Sequence, residues 1–195
     1  MSINGRMTLR AFKRERLILK TAAGLGVVRT VARKWKTAMT LSSADLLLVV
    51  TCWWMIGASS LIIALLASRY ILRRLGANRG AMIASPPNTA RQLARAARIG
   101  RAIGIAGRHA PFRADCYPQA LTAALLCRGF GVPHAVQFGA RFAAADSARA
   151  GKLEAHAWVS SGTLTVCGGQ ASPQRFGTVA CFVHLPRSDR RRAIN

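Results

Sequence analysis

An apolar run from Leu46 to Ser68, 23 residues without a charge, divides the chain. About 20 apolar residues cross a bilayer core, so hydropathy alone predicts a transmembrane helix. Leu41-Ser42-Ser43-Ala44-Asp45 supplies its N-terminal cap signal. Arg29, Arg33, Lys34 and Lys36 precede the run, and Arg69, Arg73, Arg74 and Arg79 follow it, so flanking charge assigns no orientation. Trp53 and Trp54 sit at mid-span, where indoles are uncommon because they prefer the bilayer interface. Membrane association is expected through residues 46–68, with spanning, re-entrant and protein-packed placements all open.

Beyond this run the pattern changes. Ser85-Pro86-Pro87-Asn88-Thr89 reads as a linker, since Pro-Pro blocks a helix and Thr89 caps the next one. A helix is predicted over Ala90 to Gly104, with Leu93, Ala96, Ala97, Gly100 and Ile103 inward and arginines outward. A second starts near Asp115, a candidate N-cap. Pro118 sits in its first turn, Leu121, Ala124 and Leu125 are at helical spacing, and Gly129 and Gly131 stop it. Val132 to Phe142 is strand-like. Leu153 to Val159 alternates: Leu153, Ala155, Ala157 and Val159 face one way, Glu154, His156 and Trp158 the other. Thr163 to Leu185 alternates again, broken near Gly168-Gly169 and Ser172-Pro173. The expected organisation is a basic extension (1–40), a hydrophobic helical segment (41–80), an α+β core (85–185) and a basic tail (186–195).

Charge narrows the partners less than it first suggests. The formal charge is +23, from 29 Lys+Arg against 6 acidic residues, a balance that raises nucleic acid or anionic membrane as a partner. The arginines are scattered among alanines, however, and no aromatic-rich strand reads as a stacking platform, so no dedicated nucleic-acid function is expected. Residues 1–40 have weak helical periodicity and do not match a signal peptide, since the apolar run starts too late. They suit a solvated helix or one lying on an anionic membrane or partner; Met7 and Met39 are alternative starts. The 5 cysteines include no C-x-x-C pair, and the 4 histidines lack zinc spacing. Neither a disulfide scaffold, a metal nor a cofactor is expected, and a reducing cytoplasmic compartment is the easier reading.

Two residues point to chemistry. Cys116 opens the helix, where unpaired N–H groups and the positive end of the dipole stabilise a thiolate and can hold an oxyanion. His156 lies on a later strand. Singly, each has a bland reading, as a packed thiol and a structural histidine. Together they follow the chain order of papain-like and transglutaminase-like cysteine enzymes.

Cys116-Tyr117-Pro118-Gln119-Ala120-Leu121, Arg128-Gly129-Phe130-Gly131-Val132-Pro133 and His156-Ala157-Trp158-Val159 carry a resemblance. Taken together, about residues 41–183 resemble the transglutaminase-like core of lasso-peptide B proteins, the leader peptidases of microcin-type maturation. The resemblance implies a Cys116–His156 peptidase that removes the leader from a ribosomal precursor peptide, with an asparagine-synthetase-like cyclase closing the macrolactam. It also implies a winged-helix leader-recognition protein, expected to be separate because only about 40 residues precede the apolar run. The family's third residue is an aspartate after the histidine, but Ser160 to Gly169 holds no carboxylate. Glu154, Thr165 or a backbone carbonyl remain as candidate imidazole orienters. A non-catalytic transglutaminase-like binding module and a membrane-anchored basic adaptor are the rival functions.

Overall fold

The computed structural model describes residues 41–66, 68–112, 114–143 and 151–186. The basic extension over 1–40 and all but the first residue of the basic tail lie outside the described residues.

The apolar run folds as one helix, α1 (Ser43–Leu65), started by Ser42, whose hydroxyl donates to the Asp45 carboxylate at 2.7 Å. One side of it is buried at Cys52, Ile56 and Ser59. Trp53 packs on Phe112 with ring centroids 5.5 Å apart, and the Ser59 and Thr122 hydroxyls meet at 3.2 Å. The remaining surface is largely open: only 17% of its most apolar window is buried. Helix α2 (Ser68–Leu75) is strongly amphipathic, burying Ile71 and Leu75 and exposing Arg73 and Arg74. A short strand β1 (Ala77–Asn78) follows.

The linker then runs over the sheet: the Arg79 N–H donates to the Cys181 carbonyl, and the Ala84 carbonyl accepts from Gln137 and Ser160. The Pro86 carbonyl accepts the Gly162 N–H at 3.0 Å, and Asn88 bonds the Ser161 hydroxyl. Thr89 and Gln92 form a reciprocal capping box at the start of α3 (Ala90–Arg108). This helix runs past the predicted end at Gly104, because Ala106 is buried and packing holds the extra turn. Gly100 lets it approach closely: a Cβ there would lie 2.5 Å from the Val166 carbonyl oxygen.

The most buried helix is α4 (Cys116–Gly129), with Pro118, Ala120, Leu121, Thr122, Ala123, Ala124, Leu126 and Cys127 all buried. Asp115 takes the N-cap position with extended backbone but makes no side-chain cap bond. At the other end Val132 N–H donates to the Cys127 carbonyl at 2.8 Å, closing the helix over Gly131. Pro133 has no N–H to offer, so the strand begins two residues later than Val132, at His134. That strand, β2 (His134–Phe142), lies in an antiparallel sheet with β3 (Leu153–Ser161), β4 (Leu164–Cys167) and β5 (Gly177–His184), in the order β1-β5-β2-β3-β4. A one-turn helix, α5 (Ser172–Arg175), interrupts the last β-like run.

Register sorts the sheet's faces. Phe138 opposes Ala157 and Val136 opposes Val159, and these pairs pack with α3 and α4 in the core. Gln137 opposes Trp158 and Gly139 opposes His156, so their side chains leave from the other face. The fold is a mixed helix and antiparallel sheet with one apolar N-terminal helix, the expected α+β class.

Candidate functional site

A pocket of about 450 Å³ opens where the start of α4 meets the sheet. Cys116 and His156 both line it, with Tyr117, Phe138, Phe182 and Leu72 among the apolar walls. Cys116 reaches this place because Pro118 and the buried run behind it fix α4 against β3. Its sulfur stands at the helix start, where the backbone N–H groups of the first turn lack helical partners. Tyr117 packs edge-on against Phe138 with centroids 5.3 Å apart. Burial pushes the tyrosine's pKa up, and its hydroxyl has no hydrogen-bond partner among the described residues.

Cys116 differs from the other cysteines in accessibility. It is half-buried, whereas Cys52, Cys127, Cys167 and Cys181 are buried. Burial raises Cys52 to about 11 and both Cys127 and Cys167 to about 12. Cys181 is also raised by burial. All of these four are held toward the neutral thiol. All five are free, as the absence of a disulfide framework in the sequence suggests.

His156 is held on three sides. Its ring stacks on Phe176 with centroids 4.8 Å apart and lies near-parallel to Trp158 at 6.2 Å. Its Nε2 is 2.8 Å from the Gly168 carbonyl oxygen. A carbonyl can only accept, so Nε2 carries the proton and Nδ1 keeps the lone pair in the neutral ring. The Gly168 carbonyl also accepts the Ser172 hydroxyl at 2.5 Å, which fixes its direction.

Neither side-chain orienter candidate bonds the imidazole. Glu154 is taken by Arg141, whose Nε and terminal nitrogen reach its carboxylate at 2.9 Å and 2.8 Å. That guanidinium in turn lies over the Phe176 ring, 4.9 Å from its centroid. Thr165 meets Gln170 through its backbone carbonyl, and the ring's bond goes to Gly168 instead. The backbone-carbonyl alternative is therefore the one with a bond. Phe176 carried no signal in the sequence; Gly168-Gly169 and Ser172-Pro173 showed only as breaks.

Cys116 and His156 share the pocket without touching. Among the described residues no hydrogen bond joins the thiol to the imidazole, and alternation along β3 sends His156 away from the face that Ala157 presents to α4. No cluster of His, Cys, Asp or Glu among the described residues gathers to hold a metal.

Comparison with curated proteins and with solved structures yielded no match. A family model does match: the transglutaminase-like superfamily, over residues 61–181, which takes in α4, β2, β3 and β4 and with them Cys116 and His156. That superfamily contains cysteine peptidases and transglutaminases. The match spans well over half of the sequence, and the chain belongs to the transglutaminase-like superfamily.

Proposed function

We propose that the chain is a cysteine peptidase of lasso-peptide maturation that removes the leader from a ribosomal precursor peptide. The supporting observation is a half-exposed thiol at a helix start, in a pocket that His156 also lines, within a transglutaminase-like chain. The Nε2–H of His156 is committed to the Gly168 carbonyl, which leaves Nδ1 as the base once the ring is brought round to the thiol's side of β3. Nδ1 takes the Cys116 proton, and the thiolate attacks the carbonyl carbon of the leader–core bond. The N–H groups at the start of α4 receive the oxyanion. The amine leaves with the proton from Nδ1, and water, deprotonated by the same nitrogen, hydrolyses the thioester. The imidazole leaves β3 from the face opposite the thiol, so the reaction requires a rearrangement of His156 when substrate binds, not the tightening of an existing pair. The apolar walls of the pocket suit an apolar side chain beside the scissile bond.

In this reading the partners are the precursor peptide, a separate winged-helix protein that holds the leader as an added strand, and an asparagine-synthetase-like cyclase. The core works in a reducing cytoplasm, where its five cysteines stay free. A second reading, a non-catalytic transglutaminase-like binding module, is favoured by the missing thiol–imidazole bond. A neutral carbonyl also stabilises an imidazolium less than an aspartate would.

The test incubates the protein with a candidate precursor and its recognition partner and follows the leader–core bond by mass spectrometry. Cleavage is expected, with Cys116→Ala and His156→Ala each lowering the rate by about a thousandfold or more. A thiol-directed peptide aldehyde should form an adduct at Cys116. Precursor binding without cleavage or adduct would establish the binding module instead.

A further inference from the structure

Helix α1 presents opposite faces to different surroundings. Cys52 and Ile56 are fully buried and Ser59 nearly so, held by the Ser59–Thr122 hydroxyl contact and by Phe112. Half a turn away stand Leu47, Val50, Trp54, Leu61 and Leu65, all exposed, with Leu47 and Trp54 at 68% and Leu65 at 73%. These positions follow the three-to-four spacing of one helical stripe. Beside the C-terminal end of the stripe lies a groove of about 520 Å³, reached by Ile62, Leu66 and Tyr70 and edged by Arg73, Arg74 and Arg128. No acidic residue lines it among the described residues.

We infer that α1 is an in-plane membrane helix, laying this stripe into the surface of an anionic phospholipid bilayer while Arg73, Arg74 and Arg128 meet the headgroup phosphates. A transbilayer position conflicts with the buried face. It would draw Thr122 and Phe112, which belong to the folded core, into hydrocarbon, or break their contacts with α1. In-plane placement also gives the mid-helix indole of Trp54 the interfacial position that indoles prefer. A second copy of this chain is a poor occupant, because a two-fold contact would bring the same arginines together. Charge selects anionic lipid over zwitterionic lipid, and apolar exposure supplies the insertion.

The experiment sediments the full chain with vesicles of phosphatidylcholine alone or mixed with phosphatidylglycerol, a readout independent of peptidase activity. The expected result is binding to the anionic vesicles only, weakened by salt and stripped by alkaline carbonate. Trp54→Glu with Leu61→Glu is expected to weaken binding about tenfold or more, and Arg73→Glu with Arg74→Glu to weaken it comparably. These side chains are exposed, and unchanged circular dichroism and melting verify that each variant folds. Retention through the carbonate wash would establish a spanning helix and overturn the inference. So would equal binding to both vesicles, or binding to neither. Binding that survives the Trp54/Leu61 pair would transfer it to the basic N-terminal extension and equally overturn it.

Discussion

Cys116 is distinguished by what surrounds it rather than by its chemistry, since five cysteines of one residue type differ mainly in burial. Only a thiolate attacks an alkylating agent at a useful rate, and burial holds Cys52, Cys127 and Cys167 near 11 to 12. Iodoacetamide at neutral pH is therefore expected to label Cys116 in the native protein, with Cys127 and Cys167 reacting only in denaturant; peptide mapping decides it. Equal labelling of Cys127 would contradict the packing of α4. The imidazole's partner makes the opposite lesson. The absence of a carboxylate after His156 is plain in the sequence, but a backbone carbonyl has no residue-type signature, so Gly168 was invisible as the orienter. Its glycine is required: φ is +94°, and a Cβ would lie 2.5 Å from the Cβ of Trp158 and 2.8 Å from the Ala157 oxygen. Gly168→Ala is expected to cost about 1–3 kcal/mol in a denaturant melt. It should also displace the carbonyl from His156.

At the level of elements, periodicity identified α4 and β3 because one is framed by Pro and Gly signals and the other alternates cleanly. It could not show the docking face of α1, since a run apolar on every side contains no stripe to read. The face is decided by what it meets: a hydroxyl on α4 and the ring of Phe112. The one-turn helix α5 was missed for a related reason, being too short for any period to register. Gly100 shows how tightly α3 is set on β4. Replacing a helical glycine by alanine normally stabilises by about 1 kcal/mol. Here the new Cβ would meet a backbone oxygen at 2.5 Å, and neither helix nor strand can yield cheaply. Gly100→Ala is therefore expected to destabilise by roughly 1–3 kcal/mol, whereas Gly129→Ala, with no atom within reach of its Cβ, should be neutral or stabilising. Thermal melts of the two variants side by side make the comparison. A neutral or stabilising Gly100→Ala would mean that α3 stands further from the sheet than described.

The whole molecule carries +23, and 6 acidic residues leave little for the carboxylate titration that drives most acid unfolding. Its acid response is expected to come instead from His134, which is fully buried at the start of β2. Burial pulls its pKa down from 6.5 to about 4; the neighbouring His184 and Arg128 charges add to this, while the bond to the Val132 carbonyl opposes it. The folded state thus holds His134 neutral below the pH at which the unfolded chain has already taken up a proton. Its contribution is intact above pH 6.5, is lost as pH falls from there toward 4, and changes no further below about 4. A shift of this size corresponds to roughly 3 kcal/mol at most. Calorimetric Tm values at constant ionic strength should therefore fall between pH 7 and pH 4. His134→Asn keeps a donor for the Val132 carbonyl but cannot titrate, so its curve should be flatter. Added salt should raise Tm in both proteins alike, because it screens the repulsion among 29 basic side chains without reaching a buried ring. Parallel pH curves for wild type and His134→Asn would assign the acid loss to another group. Identical curves at low and high salt would show that the positive charges lie too far apart to repel.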